Sequence, residues 1–436
     1  MEARSPRGAD DILPEEVELW RRVEETVADV MRTYGYREIR TPVFEYTELF
    51  QRGVGETTDV VEKQMYTFSD LGGRSLTLRP EGTAPVVRAF LQHKLYGRGL
   101  PQNLWYIQPM FRYERPQAGR SRQFHQFGAE SLGSLDPLCD VEVISIPLEV
   151  YRRLGISGCE LLLNSIGCPS CRPRYREELR RFLAGRLEAL CPTCRSRYER
   201  NPLRVLDCKV DGCRAATEGA PSTLDFLCDE CRSHFASVRR LLEVTGIEYR
   251  LDSRLVRGLD YYTKTVFEIV TRALGAQDAL AGGGRYDGLA EELGGPPTPA
   301  VGFGAGMERA VLALKSLAGS AEGDGGVDVY VASVGQSGRE TAVALAQKLR
   351  AAGFSARLDY REPASGERSL RAQLKAAGKS GARLVVIAGE EELSRGAVTL
   401  KSMDDGAQVE VAVERLLAEV EAKLGGERPR TARPVV

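Results

Sequence analysis

Apolar side chains recur at helical spacing from residue 14 to residue 34, a pattern that predicts an amphipathic helix near the start of the chain. Shorter segments with alternating apolar residues follow and predict strands. These segments are REIRTPVF, a short strand that Pro42 interrupts, MYTF from Met65, RSLTLRP from Arg74, LWYIQPMFRYE from Leu104 and QFHQFGAE from Gln123. Helices are predicted at 83–95 and 140–154. Strands in runs with few helices between them favour an antiparallel sheet in an α+β domain.

The pattern changes twice along the chain. Residues 168–245 combine dense Arg, helical spacing and paired Cys, which indicates an insertion, and the sheet pattern resumes after it. We therefore assign 1–167 and 246–316 to one core domain. Residues 317–326 are Gly-rich and predict a linker. Residues 327–425 alternate apolar strands with helices, as in a small parallel or mixed α/β domain, and 426–436 predict a disordered tail.

Composition narrows the class of protein without identifying it. A chain of 436 residues is long enough for two or three domains. Lys and Arg total 60 against 61 Asp and Glu, so any nucleic-acid partner must be recognised by local surfaces rather than by overall charge. The sequence has no apolar run of about 18 residues and no apolar signal core near its start. We expect a cytoplasmic protein without a membrane partner.

Two segments carry the densest chemistry. In FRYERPQAGRSRQFHQFGAE, Arg112 and Arg120 fall in a predicted hairpin loop, which suits a polyphosphate or an RNA end but also occurs as a solvated feature. In GFGAGMERA, Gly at every second position clears one face of a strand for a flat ring or sugar. Arg309 follows at the start of a helix, where it could reach an anion. Walker A, H-E-x-x-H and G-x-S-x-G sequences are absent.

These segments resemble those of a known family. FRYERP…QFHQFGAE followed by GFGAGMERA is similar to motifs 2 and 3 of class II aminoacyl-tRNA synthetases, and the segment around Pro42 resembles motif 1, the dimer strand. RGLDYYTKTVFE and GGGRYDGL resemble two segments peculiar to histidyl-tRNA synthetases. The resemblance covers nearly the whole chain. It implies a class II catalytic core, an anticodon-binding domain at 327–425 and a homodimer that acts on L-histidine, ATP and tRNA(His).

The resemblance also implies a histidine site. Its members are Glu81, Thr83, Gln126, Glu130, Tyr261, Tyr262 and Tyr286. Glu81, Thr83 and Gln126 would hold the α-ammonium group, while Glu130 and Tyr262 would bond the two ring nitrogens. A site that bonds both nitrogens can reject ring isosteres by about 10⁴.

An ATP site follows from the same resemblance, with ATP entering as its Mg²⁺ complex. Its members are Arg112, Glu114, Arg120, Phe124 and Arg309. Arg112 would bind the α-phosphate and Arg309 the γ-phosphate, while Glu114 and Phe124 would frame the adenine. Arg112 and Arg257 are the implied catalytic residues. A fixed guanidinium at Arg257, beside the α-phosphate, could supply roughly 3 kcal/mol of transition-state stabilisation.

The insertion holds eight of the ten Cys residues. They form the pairs Cys168/Cys171, Cys191/Cys194, Cys208/Cys213 and Cys228/Cys231. This spacing fits two tetrahedral zinc sites, one site with spare thiols, or eight reduced thiols. The Arg residues of this segment fit either a surface against the tRNA acceptor arm or a solvated helix face.

A second class of function competes with catalysis. A synthetase-like regulatory subunit of ATP phosphoribosyltransferase would bind histidine as a signal and transfer nothing. Such a subunit needs neither an α-phosphate clamp nor an anticodon-binding domain. The presence of Arg112, Arg257, Arg309 and the C-terminal domain therefore favours the enzyme.

Overall fold

A computed structural model describes residues 3–55, 58–271, 279–318, 326–360 and 368–425. The chain forms two compact units, Met1–Ala321 and Glu322–Val436. Most of the predicted linker and all of the predicted tail lie outside the described residues. No helix in the described ranges is long and apolar enough to cross a membrane.

The first unit alternates strands and helices in a manner close to the predicted pattern. Its strands are β1 (Arg37–Glu38), β2 (Phe44–Tyr46), β3 (Tyr66–Ser69), β4 (Ser75–Leu78), β5 (Gln102–Phe111), β6 (Gln123–Leu132), β7 (Cys159–Ser165), β8 (Arg250–Leu251), β9 (Thr263–Thr271), β10 (Ala279–Arg285) and β11 (Ala300–Gly306). Its α-helices are α1 (Pro14–Thr33), α2 (Thr47–Val54), α3 (Thr83–Gln92), α4 (Pro137–Leu154), α5 (Arg172–Ala184), α6 (Pro192–Arg200), α7 (Asp211–Ala216), α8 (Asp229–Val244), α9 (Leu289–Glu292) and α10 (Met307–Ala318). A π-helix spans Val60–Gln64, and 3₁₀ turns span Leu95–Arg98, Leu187–Ala189, Pro202–Val205 and Thr223–Phe226.

Within the described residues the main sheet has eight strands in the order β1-β5-β6-β11-β10-β9-β7-β8. Its central pairs, from β5 through β7, are antiparallel, which confirms the predicted sheet type. The two edge pairs, β1 with β5 and β7 with β8, are parallel. One face packs on α1, α4 and α10 through a large apolar cluster. The other face carries a second apolar cluster together with the polar side chains described below.

The segment around Pro42 differs from its prediction. A single strand broken by Pro42 was expected, but β1 pairs in the main sheet whereas β2 belongs to a separate three-stranded sheet, β2-β4-β3. The buried Arg79 guanidinium lies between the two sheets. It donates to the carbonyls of Thr41 at 2.8 Å and Pro42 at 3.1 Å, and to that of Pro109 in β5 at 2.8 Å. A proline cannot donate to a ladder, so the chain changes sheets there.

The insertion is mainly helical, as predicted. Helix α8 packs against α4 of the core, and His234 on α8 approaches the Asp140 carboxylate at 3.3 Å. Asp140 and Arg285 are both fully buried, and two Arg285 nitrogens contact the carboxylate at 2.7–3.0 Å. Burial raises the pKa of Asp140, but His234 and Arg285 outweigh it and hold that pKa below its usual value. This ion pair joins β10, α4 and the insertion.

The second unit is a mixed α/β domain, within the predicted alternatives. Its strands are β12 (Val329–Ser333), β13 (Ala356–Leu358), β14 (Leu384–Ala388), β15 (Ala397–Ser402) and β16 (Gln408–Ala412), in the order β13-β12-β14-β15-β16. Its helices are α11 (Gly335–Ala351), α12 (Leu370–Lys379), α13 (Glu390–Ser394) and α14 (Leu416–Leu424). The first three strands of that order are parallel and the others antiparallel.

Candidate active site

The polar face of the main sheet follows from the two-residue period of its strands. In β6, Phe127 and Ala129 enter the apolar cluster, so Gln126 and Glu130 lie on the opposite face. In β11, Val301, Phe303 and Ala305 enter the same cluster, which leaves Gly302, Gly304 and Gly306 on the polar face. On the polar face, β6 therefore carries the side chains of Gln126 and Glu130, whereas the neighbouring strand β11 carries only glycines.

Glycines on this face make room for functional side chains of the same chain. A side chain at Gly302 would overlap the Glu130 carboxylate, and one at Gly282 would overlap the Arg257 guanidinium. The sequence predicts that the Gly302 row is cleared for a ligand. At Gly302 the space is instead taken by the protein's own carboxylate, whereas at Gly304 a side chain would make only ordinary contact with Gln126.

Two carboxylates are buried together beside the sheet. Glu81 accepts hydrogen bonds from the backbone N–H groups of Thr83 at 2.7 Å and Ala84 at 2.9 Å. Glu130 accepts from the Thr83 hydroxyl at 2.8 Å and the Tyr286 phenol at 2.5 Å. In the described part of the chain, the hydrogen-bond donors to both carboxylates are hydroxyls and backbone amides, with no cation among them. A cationic ligand would complete this arrangement.

The electrostatics of the pair reflect this burial. Burial raises the pKa of Glu130 to about 8, and the nearby Glu81 adds to the rise, against hydrogen bonds from Tyr286 and Thr83. Burial likewise raises the pKa of Glu81 above its ordinary value, although its backbone hydrogen bonds oppose the rise. Two neighbouring carboxyls with raised pKa values favour a ligand that brings positive charge or N–H donors.

Three tyrosines enclose the two carboxylates. The Tyr261 ring lies 4.7 Å from that of Tyr262 and 5.6 Å from that of Tyr286, measured between centroids. The Tyr261 hydroxyl reaches Glu81 at 3.5 Å. All three rings are buried. The side chains that the resemblance assigns to histidine thus form one compact cluster, with Gln126 at its edge.

An adjoining cleft of about 400 Å³ is lined by the residues expected to bind ATP. These residues are Arg112, Glu114, Arg120, Phe124 and Arg309, and Gln126 and Arg257 line the same cleft. The Arg112 guanidinium lies 5.4 Å from the Phe124 ring centroid. Burial, together with the nearby charge of Arg120, lowers the pKa of Arg309. Guanidinium groups held close to one another in this way suit a polyphosphate.

Arg257 lies flat against β10 at one wall of this cleft. Its Nη1 donates to Glu268 in β9 at 2.6 Å, and its guanidinium lies 6.0 Å from the Tyr262 ring. Burial opposes its charge, but Glu268, Tyr262 and Asp207 together outweigh this effect and raise the pKa of Arg257 above its ordinary value. Arg257 therefore remains charged between the cleft and the tyrosine cluster.

Two residues near the site received no assignment or only an indirect one from the sequence. His125, expected at most to support the pocket, contacts Glu308 through its backbone N–H at 2.7 Å and its Nδ1 at 3.1 Å. Asp260 accepts a hydrogen bond from Asn201 of the insertion at 3.0 Å. Glu308 lines the cleft, whereas Asn201 belongs to the insertion.

The sequence reasoning missed two members of the site. Tyr106 in β5 reaches Glu130 at 3.4 Å, and it occupies the space above Gly128, its cross-strand neighbour. Glu268 is the carboxylate partner of Arg257. Gly128 in the returning strand leaves room for a large side chain opposite it, but that this side chain is Tyr106 follows only from the register of β5 and β6. Glu268 stands at the end of RGLDYYTKTVFE and was treated as part of a strand.

The eight Cys residues of the insertion form two clusters. We call Cys168, Cys171, Cys228 and Cys231 the outer cluster, and Cys191, Cys194, Cys208 and Cys213 the inner cluster. Within each, the four sulfur atoms lie within 4.8 Å of one another. Measured separations are 3.6 Å for Cys168–Cys171, 3.9 Å for Cys168–Cys228 and 4.0 Å for Cys191–Cys208. These are far longer than a disulfide bond.

Both clusters fit a tetrahedral metal ion. Four thiolates at a Zn–S distance of about 2.3 Å lie about 3.8 Å apart, close to the separations above. Each cluster also carries a backbone N–H to sulfur hydrogen bond of 3.1 Å, from Cys228 to Cys171 and from Cys191 to Cys213. The pairs are nested, because the first joins the fourth and the second joins the third.

An antiparallel sheet that carries a basic hairpin, a glycine-lined floor and an Arg309-bearing helix defines the first unit as a class II aminoacyl-tRNA synthetase core. Comparison with known proteins agrees: the family model for histidyl-tRNA synthetase matches residues 8–310, and an anticodon binding domain matches residues 328–423. The chain belongs to the histidyl-tRNA synthetase family.

Individual relatives are similar over nearly the whole chain. A histidine–tRNA ligase of Moorella thermoacetica is 56% identical over 93% of this chain and 95% of its own length. One of Halothermothrix orenii is 50% identical over 97% of this chain and 99% of its own. The crystal structure of apo Staphylococcus aureus histidyl-tRNA synthetase superposes with a TM-score of 0.80 at 36% identity, covering 96% of this chain and all of that one.

Proposed function

We propose that this chain joins L-histidine to tRNA(His) in two steps: it uses ATP to form histidyl-adenylate and pyrophosphate, then transfers histidine to the terminal ribose of the tRNA. The observation that carries the proposal is the buried Glu81 and Glu130 pair beside an arginine-lined cleft. Ligases at 50–56% identity span nearly the whole chain, including its C-terminal domain. This coverage favours the enzyme over a histidine-binding regulatory subunit.

The histidine site is proposed to use the carboxylate cluster. The α-ammonium group would be held by Glu81, Thr83 and Gln126, since a buried carboxylate with neutral acceptors suits a cation. Glu130 and Tyr262 would bond the two imidazole nitrogens, with Tyr261 and Tyr286 enclosing the ring. Bonding to both nitrogens would exclude amino acids whose rings lack them.

The ATP site is proposed to use the cleft. Arg112 and Arg120 from the hairpin, together with Arg309 from α10, would bind the phosphates of the Mg²⁺ complex of ATP. The Phe124 ring would stack on the adenine, and Glu114 would accept a hydrogen bond from it. The cleft volume of about 400 Å³ falls within the range of small-molecule sites.

The first step then needs no protein base. The histidine carboxylate is already ionised, so its oxygen attacks the α-phosphorus directly while the bond to the β-phosphate oxygen breaks and pyrophosphate leaves. Arg112 and Arg257 stabilise the charge that grows on the α-phosphate oxygens. In the second step a ribose hydroxyl attacks the histidyl carbonyl, and AMP leaves with the electron pair of the mixed anhydride and takes up the hydroxyl proton.

Exchange of pyrophosphate into ATP tests the proposed function directly. We expect histidine alone among the twenty amino acids to stimulate the exchange, and the protein to charge tRNA(His). If no amino acid stimulates exchange while histidine still binds, the regulatory function replaces this one.

The proposal also covers the partners of the chain. The exposed apolar side chains of the β2-β4-β3 sheet, among them Phe44, Tyr46 and Phe68, support a homodimer through the segment that follows Pro42. The anticodon-binding domain supports contact with the tRNA away from its acceptor end. Charging tRNA serves translation, so we expect the protein to work in the cytoplasm.

Both Cys clusters are proposed to bind structural zinc. The four-thiol donor sets and the N–H to sulfur bonds suit Zn²⁺, and each closed set leaves no position for a substrate. The ions would hold the insertion folded and take no part in either chemical step. We expect about two zinc ions per purified chain. A content below about 0.2 per chain after purification without chelator would contradict the proposal.

A further inference from the structure

The segment that carries the proposed catalytic and histidine-binding side chains is held from one side by the insertion. We call residues 257–264 the histidine loop; it contains Arg257, Tyr261 and Tyr262 and includes the first two residues of β9. On the core side it is fixed by a bond from the Asp260 amide to the Val54 carbonyl. Its opposite side meets residues that stand next to Cys ligands.

The end of the loop contacts the outer cluster at several points. Arg172, directly after Cys171, donates through Nη2 to the carbonyl of Tyr262. Ile166 and Gly167, directly before Cys168, exchange backbone hydrogen bonds of 2.9 and 3.0 Å with Lys264. Every one of these contacts lies within two residues of a Cys of the cluster.

A fourth contact involves the other knuckle of the same cluster. Glu230, between Cys228 and Cys231, accepts from the Lys264 ammonium at 2.9 Å. Lys264 is buried and has a φ of 48°, a left-handed conformation that is uncommon for residues other than glycine and costs energy that contacts with the surroundings can offset. The cluster supplies such surroundings through both backbone and side chain.

The beginning of the loop contacts the connection between Cys194 and Cys208 of the inner cluster. Arg204, between Cys194 and Cys208, donates to the Arg257 carbonyl at 3.1 Å. Asn201, from the same connection, donates to the Asp260 carboxylate at 3.0 Å. Residues beside the outer cluster therefore hold one end of this short loop, and the connection between two Cys of the inner cluster holds the other end.

Because of these contacts, we propose that the metal-loaded clusters position the histidine loop, and that Arg172 and Lys264 are positioning residues for Tyr262. This inference rests on the proposed function, since it assigns the clusters a part in histidine binding without a part in the chemistry. The insertion in this chain then acts as a brace for the amino acid pocket. Loss of metal from the outer cluster would release the carbonyl of Tyr262 and the strained Lys264.

The test compares Arg172→Met with Arg176→Met. Arg176 lies one turn later on the same face of α5 and is exposed, so its replacement removes the same charge without the bond to Tyr262. We expect Arg172→Met to raise the KM for histidine about tenfold in pyrophosphate exchange, since a buried carbonyl loses its donor. The KM for ATP and the zinc content are expected to stay at wild-type values. Arg176→Met is expected to keep the wild-type KM for histidine.

A second pair of variants, with smaller expected effects on folding, tests the positioning role if Arg172→Met does not fold. Glu230→Gln weakens the contact to Lys264, while Asp229→Asn removes an exposed neighbouring charge from the same knuckle. We expect a two- to fivefold higher KM for histidine in Glu230→Gln only. Removal of zinc by chelation should raise the KM for histidine as well, and added Zn²⁺ should restore it.

Separate outcomes identify what has failed. If the wild type shows no histidine-dependent exchange, the proposed function is wrong. If exchange is normal but Arg172→Met and Glu230→Gln keep the wild-type KM for histidine, the positioning role is wrong and the function stands. A chelated protein below about 0.2 zinc per chain that keeps the wild-type KM for histidine would also overturn the inference.

Discussion

In the proposed histidine pocket, Glu130 is predicted to make the stability of the protein depend on pH. Its pKa of about 8 lies above the ordinary 4.5, so the folded protein holds a proton that the unfolded chain releases. This contribution to stability is complete below about pH 4.5 and is lost as the pH rises through 8. We expect Glu130→Gln to flatten the fall in melting temperature between pH 5 and 8. The same variant should raise the KM for histidine about 100-fold, because the amide is no longer an anionic acceptor.

Melting curves at each pH, with and without histidine, check this prediction. Glu291→Gln is a suitable control because Glu291 is exposed. If the pH dependence of Glu130→Gln matches that of the wild type, Glu130 is not the titrating group.

Arg257 is predicted to act on the transition state more than on binding. Arg257→Ala should slow adenylate formation by 10²- to 10³-fold, as expected for loss of a preorganised donor, with less than a threefold change in the Kd for histidine. Rapid-quench measurement of adenylate separates the two quantities.

Removal of Arg257 also leaves Glu268 without its guanidinium partner. The double variant Arg257→Ala/Glu268→Gln controls for that orphaned carboxylate. If the double variant recovers the wild-type rate, the loss came from Glu268 and the catalytic role of Arg257 is wrong.

At the level of single residues, sequence reasoning was limited to what motifs and strand period carry. The family resemblance assigned Gln126 and Glu130 to one site, and the structure places both on the same face of β6. Tyr106 escaped because its contact with Glu130 depends on which strand pairs with which and in what register. A one-residue change of register would turn Tyr106 to the opposite face, so its role could not be read without the fold.

At the scale of secondary-structure elements, Arg285 is predicted to be the main polar side chain that holds β10 against α4. Its guanidinium is fully buried and joins Asp140 of α4, and it donates to the carbonyls of Ser134 and Asp136 at 2.9 and 3.0 Å. Arg285→Met leaves the buried Asp140 charge without this partner. We expect a loss of about 3–5 kcal/mol in the free energy of unfolding.

Urea denaturation monitored by circular dichroism measures this loss. Arg152→Met, which removes an exposed guanidinium on the same helix as Asp140, should change stability by less than about 1 kcal/mol. If the two variants have equal free energies of unfolding, the buried ion pair of Arg285 and Asp140 contributes no more to stability than an exposed one.

The division of the Pro42 segment between two sheets could not be predicted from local pattern. Proline indicated an interruption, and that part was right. The side chain that makes the interruption stable is Arg79, which is more than thirty residues away and donates to Thr41 and Pro42 together. Such a contact has no local sequence signal, whereas the periodic helices α1 and α4 were predicted within a few residues.

In the whole molecule, the order in which the Cys pairs combine was left open by the sequence. Spacing identifies each pair as a possible half-site, yet it does not determine which halves meet. The nested arrangement arises because α8 returns to β7, bringing Cys228 beside Cys168. The insertion thereby starts and ends at one cluster, which is where its contacts with the histidine loop are found.

The exposed apolar face of the β2-β4-β3 sheet is predicted to form the contact of a homodimer. Phe44 and Phe68 lie on an exposed face of the β2-β4-β3 sheet, with ring centroids 6.4 Å apart and half or nearly half of each residue accessible. If this face forms the homodimer contact, Phe44→Glu places a charge in an apolar interface and should convert the dimer to a monomer. Arg79 links this sheet to the segment before Glu81, so the monomer should also lose histidine-dependent exchange by at least about tenfold.

Sedimentation velocity of the variant checks the mass, and pyrophosphate exchange checks the activity. Val343→Glu is the matched control, because Val343 is an exposed valine on α11 of the second unit. It should leave both mass and exchange unchanged. A Phe44→Glu protein that stays dimeric would move the interface to another surface. If the monomer is fully active, activity does not depend on dimer formation, because Arg79 then holds Glu81 in place without help from a second subunit.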